Sequence, residues 1–210
     1  MSPAKQGLDT QPAAIPATPG EIWSDLLQGN QRFQEGRQTP REFVGRRADL
    51  ASGQQPQVIV LTCSDSRVCP SLIFDKTLGD LFVIRTAGNV ADPVAMGSIE
   101  FAAEVLNSPV LLIMGHENCG AVAAAASGGD LPSPNLESIV ARIRPALASV
   151  EGRAEGDALL RLAEESNVHQ SARDLLHSSP LLQQKVAAGK LTLIKAVYRL
   201  TTGQVTRLPE

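Results

Sequence analysis

Two short segments carry residues that could do chemistry together. One is Cys63-Ser64-Asp65-Ser66-Arg67, which follows Val58-Ile59-Val60-Leu61; the other is His116-Glu117-Asn118-Cys119-Gly120, which follows Val110-Leu111-Leu112-Ile113-Met114. Each apolar run reads as a buried strand, so both segments sit at strand ends. Two thiols, one imidazole and one carboxylate form a ligand set suited to tetrahedral zinc. Cys63 and Asp65 are an i, i+2 pair, which extended chain turns to one side, so both can reach one ion. His116 and Cys119 have the spacing by which a loop or first helical turn folds two ligands around zinc. Alone, either half is weak, because a buried cysteine is often an apolar filler and a lone histidine a hydrogen-bonded structural residue. Their convergence at one sheet edge favours the metal.

With zinc held by Cys63, His116 and Cys119, the fourth position falls to Asp65 or to water. An open position is the mark of catalytic rather than structural zinc. Two thiolates offset much of the ion's charge, so a water there is acidified less than on three-histidine zinc and needs a nearby acceptor. Asp65 is placed to be that acceptor. Arg67 can grip its carboxylate with a planar fork of donors, lowering its pKa and holding it off the metal. The plainer reading makes Arg67 a surface ion-pair residue and Asp65 a turn residue capping a helix. The closeness of Cys63 favours the chemical one.

The elements that must position these groups are legible in outline. Residues 1–17 are polar and proline-rich and read as a flexible lead, followed by one domain over 18–210. Thr18-Pro19-Gly20-Glu21 starts a helix, with Thr18 as N-cap, Pro19 at the first helical position and Glu21 completing a capping box. That helix runs to about residue 34. Its apolar stripe of Ile22, Trp23, Leu26, Leu27 and Phe33 could pack on its own chain or on another subunit. A short helix over 42–50 and a turn at Gly53-Gln54-Gln55-Pro56 come next. Strands follow over 57–63, 81–86 and 109–115, with a helix over 94–106. Helices over 136–149 and 154–187 precede a strand pair, 191–198 and 204–208. The predicted fold is α/β: a central, mostly parallel sheet flanked by helices, with an N-terminal helical arm, a C-terminal helical region and a final antiparallel strand. In such sheets the carboxyl ends of the strands carry the site.

Bulk properties narrow the partners. The 210 residues are 43% hydrophobic, enough for a substantial core, and the net charge of −3 offers no basic field for nucleic acid or anionic lipid. Three cysteines, Cys63, Cys69 and Cys119, make no disulfide framework. With no secretory signal pattern and no window apolar enough to span a bilayer, a cytoplasmic protein is expected.

The motifs resemble those of the β-class carbonic anhydrases. Cys-Ser-Asp-Ser-Arg-Val at 63–68 is similar to that family's first motif and Gly-His-Glu-Asn-Cys-Gly-Ala at 115–121 to its second. Gly79-Asp80-Leu81-Phe82-Val83-Ile84-Arg85-Thr86-Ala87-Gly88-Asn89 resembles the intervening strand and glycine turn. The resemblance spans about 20–207. It implies one zinc ion per chain on Cys63, His116 and Cys119, with Asp65 as exchangeable fourth ligand and Arg67 its partner in a catalytic dyad. It implies that Gln54 donates a hydrogen bond to substrate from across the pocket. Phe82, Ala87 and Phe101 would line an apolar CO2 pocket, and Gly120 would contact the anion through its backbone. The reaction implied is reversible hydration of CO2 to bicarbonate and a proton, by a zinc-activated hydroxide that Asp65 orients. Homodimers or homotetramers are expected, with the site at the dimer interface.

The sequence departs from the family's pattern in places. Val60 stands where some members need a tryptophan for a second bicarbonate site, so no such site is expected. Arg199 stands where many relatives have aspartate. Cys69 is better explained by packing than as a further ligand. His169 and His177, in the helical tail, are candidate proton shuttles. The alternatives are a carbonyl sulfide or carbon disulfide hydrolase on the same site, and a non-catalytic zinc protein with the site closed by Asp65. A thiol redox protein ranks last, for want of a Cys-x-x-Cys.

Overall fold

The computed structural model describes residues 18–209, so the expected lead over 1–17 lies outside the described residues. Helix α1 (Pro19–Gln34) opens as its sequence dictates. Thr18 Oγ1 accepts from the Glu21 amide at 3.2 Å, and Glu21 Oε2 accepts from the Thr18 amide at 2.9 Å. The apolar face of α1, Ile22, Trp23 and Leu26, is buried in one cluster with Ile73 and Phe74. The stripe therefore packs on its own chain. Gly29 allows the approach, since a Cβ there would lie 1.9 Å from the Phe74 carbonyl oxygen.

The chain continues as α2 (Phe43–Asp49), β1 (Val58–Cys63), α3 (Pro70–Ile73), β2 (Leu81–Thr86) and α4 (Pro93–Glu104). After β3 (Val110–His116) come α5 (Gly120–Ser127), α6 (Pro134–Ala148), α7 (Gly156–Ser178) and α8 (Pro180–Ala187), then β4 (Thr192–Tyr198) and β5 (Val205–Arg207). Helices α3 and α5 were not anticipated. The helix expected over 154–187 is two, broken at Ser179-Pro180. Proline lacks an N–H and pushes the preceding residue out of helical conformation. Ser179 is accordingly extended, and its hydroxyl caps α8 at the Leu182 amide, 3.2 Å away.

The five strands form one sheet in the order β2-β1-β3-β4-β5, parallel except for β5. Every residue of β1 and β3 is buried, as expected where helices cover both faces of a parallel sheet. Ile22, Trp23 and Phe74 cover one face; Ile99, Ala102, Val168 and Leu175, from α4 and α7, cover the other. The chain leaves β1 towards β2 and leaves β3 towards β4, on opposite sides. The crevice beyond the carboxyl ends of β1 and β3 is therefore the topological switch point, where ligands bind in open α/β sheets. Cys63 is the last residue of β1 and His116 the last of β3.

Candidate metal centre

The ligating atoms of Cys63, His116 and Cys119 lie within 4.8 Å of one another, and all three residues are buried. His116 enters from β3. Asn118 then takes a left-handed turn (φ 54°), a conformation asparagine tolerates, and Cys119 arrives as N-cap of α5. Residues 53 apart in sequence thus face one point from two strands.

The protonation pattern fits a metal. His116 Nδ1 lies 2.8 Å from the Glu117 carbonyl oxygen, which can only accept, so Nδ1 carries the proton and Nε2 presents a lone pair. Among the described residues, that buried Nε2 has no hydrogen-bond partner. A buried nitrogen without a partner is costly unless something else takes its lone pair. A zinc ion between two thiolates would do so, and ligating histidines commonly hold a carbonyl with their other nitrogen. The thiols are primed as well. The Cys119 thiol and the amides of Asp65 and Gly88 hold the Cys63 thiol well below its ordinary value, against the opposing effect of burial. The Gly88 amide donates to Cys63 Sγ at 3.3 Å. Cys119 is pushed up by its hydrogen bond with Cys63 and by burial, while the Val122 and Ala121 amides act the other way.

Asp65 stands beside this cluster, with Oδ2 3.9 Å from His116 Nε2. Arg67 grips it bidentately, Nε to Oδ1 at 2.9 Å and Nη2 to Oδ2 at 2.7 Å, and the Arg67 amide adds a third bond at 2.9 Å. The guanidinium fork is the main reason the Asp65 carboxyl lies far below the usual carboxylate range. Arg85 fixes the same stretch of backbone, donating to the Cys63 carbonyl at 3.1 Å and the Asp65 carbonyl at 2.6 Å. Sequence reasoning missed Arg85, whose alternation within β2 gave no sign that it reaches across to β1.

The pocket residues separate into groups. Ala87 and Gly120 line an apolar cavity of about 250 Å3 with Ala121, Ala124, Leu131, Leu136, Ile139 and Val140. Ala87 and Gly120 are the chain neighbours of Gly88 and Cys119, so this cavity adjoins the cluster. Phe82 and Phe101 instead pack on each other with ring centroids 6.3 Å apart, and Phe101 stays 47% exposed. Gln54 is exposed and lines a separate cavity of about 580 Å3 with Arg47, Leu50 and Gly79. Cys69 is half-buried at the residue before α3, makes no side-chain capping bond, and lies outside the ligand cluster. His169 Nδ1 lies 3.2 Å from Lys195 Nζ, and His177 is exposed near the end of α7. Arg199 donates to Glu165 at 2.7 Å, which gives that departure from the family pattern a partner.

Comparison with known proteins identifies the class that this fold and site define. Residues 58–205 match the carbonic anhydrase family model. Carbonic anhydrase 2 of Mycobacterium tuberculosis is 40% identical over 190 residues, covering 89% of this chain and 91% of the relative. The solved β-carbonic anhydrase CcaA superposes with a TM-score of 0.68 at 28% identity, over 90% of this chain and 88% of that one. A tetrameric β-carbonic anhydrase from Sordaria macrospora shares the fold, with a TM-score of 0.73 at 21% identity over 91% of this chain and 93% of the other. This chain belongs to the β-carbonic anhydrase family and is an enzyme of that kind.

Proposed function

We propose that Cys63, His116 and Cys119 hold one zinc ion per chain, and that the centre so formed hydrates CO2 reversibly to bicarbonate and a proton. The buried, partnerless Nε2 of His116, facing two cysteines, carries this reading. Zinc bound there supplies Lewis acidity, which makes a water nucleophilic near neutral pH. The chain's own residues do the rest. Asp65, fixed by the Arg67 fork, presents a carboxylate that would accept a hydrogen bond from a water or hydroxide held by the zinc and so orient it. Loosening of that fork would let the carboxylate swing to the metal and close the site. The apolar wall of Ala87, Ala121, Ala124 and Val140 suits a small nonpolar substrate. The Gly120 amide, at the start of α5, would meet an anionic product.

The assembly belongs to this reading. Strand β2 is an edge strand, and Val83 on it, with Val94, Phe101 and Val105 of the α4 region, exposes large apolar surface. We infer that a second copy covers this face in a homodimer or homotetramer. Phe82, Phe101 and Gln54 then complete the pocket across the interface. Among the described residues no helix is long and apolar enough to cross a membrane. We place the enzyme in the cytoplasm.

The test is stopped-flow CO2 hydration on metal-quantified protein from neutral to alkaline pH. Activity that rises with pH and tracks zinc content is expected. Protein with a full zinc complement but no activity at any pH would overturn the proposal.

A further inference from the structure

Helix α7 turns a polar stripe inward. Glu164, Asn167 and Ser171 recur at the spacing of one helix face, and all are at least 95% buried, alongside Val168. Their hydrogen bonds run to the two loops that carry the thiols. Glu164 Oε1 accepts from the Cys119 amide at 3.1 Å. Asn167 Nδ2 donates to the Gly88 carbonyl at 2.7 Å, and Gly88 in turn donates its amide to Cys63 Sγ. Ser171 Oγ donates to the Asn89 carbonyl at 2.9 Å and accepts from Asn89 Nδ2 at 3.2 Å. Asn89 itself sits in the left-handed region (φ 48°), which asparagine tolerates, and Ser171 fixes it there from both sides of its peptide.

The stripe is expensive in a place where apolar side chains would serve packing better. Glu164 Oε2 has no hydrogen-bond partner among the described residues, although the group is 4% exposed. Burying a carboxyl with one oxygen left without a partner is unfavourable, and an apolar residue of similar volume would commonly give a more stable helix interface. The contacts made are what the stripe supplies. One member orients the peptide carrying Cys119, and another orients the peptide whose N–H supports the Cys63 sulfur.

We propose that Glu164 and Asn167 are positioning residues for the metal centre, each fixing one of the two cysteine ligands through a backbone peptide. The proposal rests on the zinc reading above. Neither residue touches the ligating atoms, so each acts on affinity and ligand geometry through the loop it holds.

The experiment measures zinc affinity by competition with a chromophoric chelator, and the sulfur-to-cobalt charge-transfer bands of the cobalt(II) form. It uses full-length wild type, Glu164→Ala, Glu164→Gln, Asn167→Ala and Leu175→Ala. Leu175 lies on the same helix in the apolar core and serves as a control for loss of packing alone. Glu164→Ala and Asn167→Ala are expected to weaken zinc binding about 10–100-fold and shift the cobalt bands. Glu164→Gln keeps an acceptor for the Cys119 amide and should recover most of the affinity, while Leu175→Ala should lower stability and leave zinc affinity unchanged. Zinc affinities within about threefold of wild type in both alanine variants would overturn the proposal. So would an equal loss in Leu175→Ala, which would make the effect one of general stability. Should Glu164→Ala fail to fold, Asn167→Ala read against Leu175→Ala decides the outcome. Wild type that binds no zinc would instead sink the zinc reading itself.

Discussion

Gly115 is the residue on which the seating of α7 depends. A Cβ at this position would lie 2.6 Å from Val168 Cγ2, with the Glu164 carbonyl oxygen at 3.5 Å and Asn89 Oδ1 at 3.7 Å. Ordinary carbon–carbon contact is about 3.5–4.0 Å, so Gly115→Ala must move helix or strand by about 1 Å. Overpacking of this kind costs about 1–3 kcal/mol. The backbone of Gly115 is not left-handed, so alanine also recovers about 0.4–1 kcal/mol of unfolded-chain entropy, leaving a net change between about zero and a loss of about 2.6 kcal/mol. Val168→Ala opens the space but loses buried methyl groups from a fully buried position, and alone also destabilises. In the double variant the new methyl occupies room vacated by the old one, and the pair should be less destabilised than the sum by about 1 kcal/mol or more. Urea unfolding of the four proteins at one concentration and one metal loading measures this. Strict additivity across the cycle would show that α7 does not rest on β3 as described.

Asp65→Asn and Arg67→Ala should each lower CO2 hydration about 10²–10⁴-fold while zinc content stays at one per chain; unchanged turnover in both would remove the dyad from the mechanism. Asp75 is 3% exposed, and its carboxylate takes Arg32 Nε at 2.6 Å, Arg41 Nη2 at 2.7 Å and the Thr39 hydroxyl at 2.8 Å. Burial raises its pKa, but Arg32, Thr39 and Arg41 outweigh that and hold it below the usual value. Its stabilising effect is therefore present above the unfolded pKa of about 4 and lost as pH falls through the lower folded value. Asp75→Asn, which tolerates the left-handed backbone here (φ 50°), should cost about 1–3 kcal/mol at neutral pH, the arginines being partly solvated. That cost should shrink in acid, and a penalty independent of pH in thermal melts would contradict the assignment. Stripping the metal with a chelator should lower the melting temperature by about 8–16 °C if zinc is present at about a thousand times its dissociation constant. An unshifted melt would mean that the native state holds no tight metal.

The strand-end segments were readable because chemistry and topology coincide there. Two apolar runs of strand length each stop at a cysteine or histidine, and a parallel sheet brings such ends together. The polar stripe of α7 was not readable. Glu164, Asn167 and Ser171 look like a solvated helix face, and their partners are loop amides and carbonyls that leave no trace in side-chain pattern. Helix α5 was missed for a related reason: Gly120-Ala-Val-Ala-Ala-Ala-Ala-Ser127 is short and has no polar face to give periodicity. The break between α7 and α8 was visible in Ser179-Pro180 but overridden by helical composition on both sides. Phe82 and Phe101 pack on each other and Gln54 lines a separate cavity, a placement that depends on how β2, α4 and the segment before β1 sit in three dimensions and leaves no trace in one chain's pattern.

X-ray absorption at the zinc edge on purified protein tests the central claim most directly. Two sulfur ligands at about 2.3 Å and at least one nitrogen at about 2.0–2.1 Å, with one zinc per chain, are expected, and Cys119→Ser should remove one sulfur. A shell of only nitrogen and oxygen, or a spectrum unchanged in Cys119→Ser, would contradict a centre built from Cys63, His116 and Cys119.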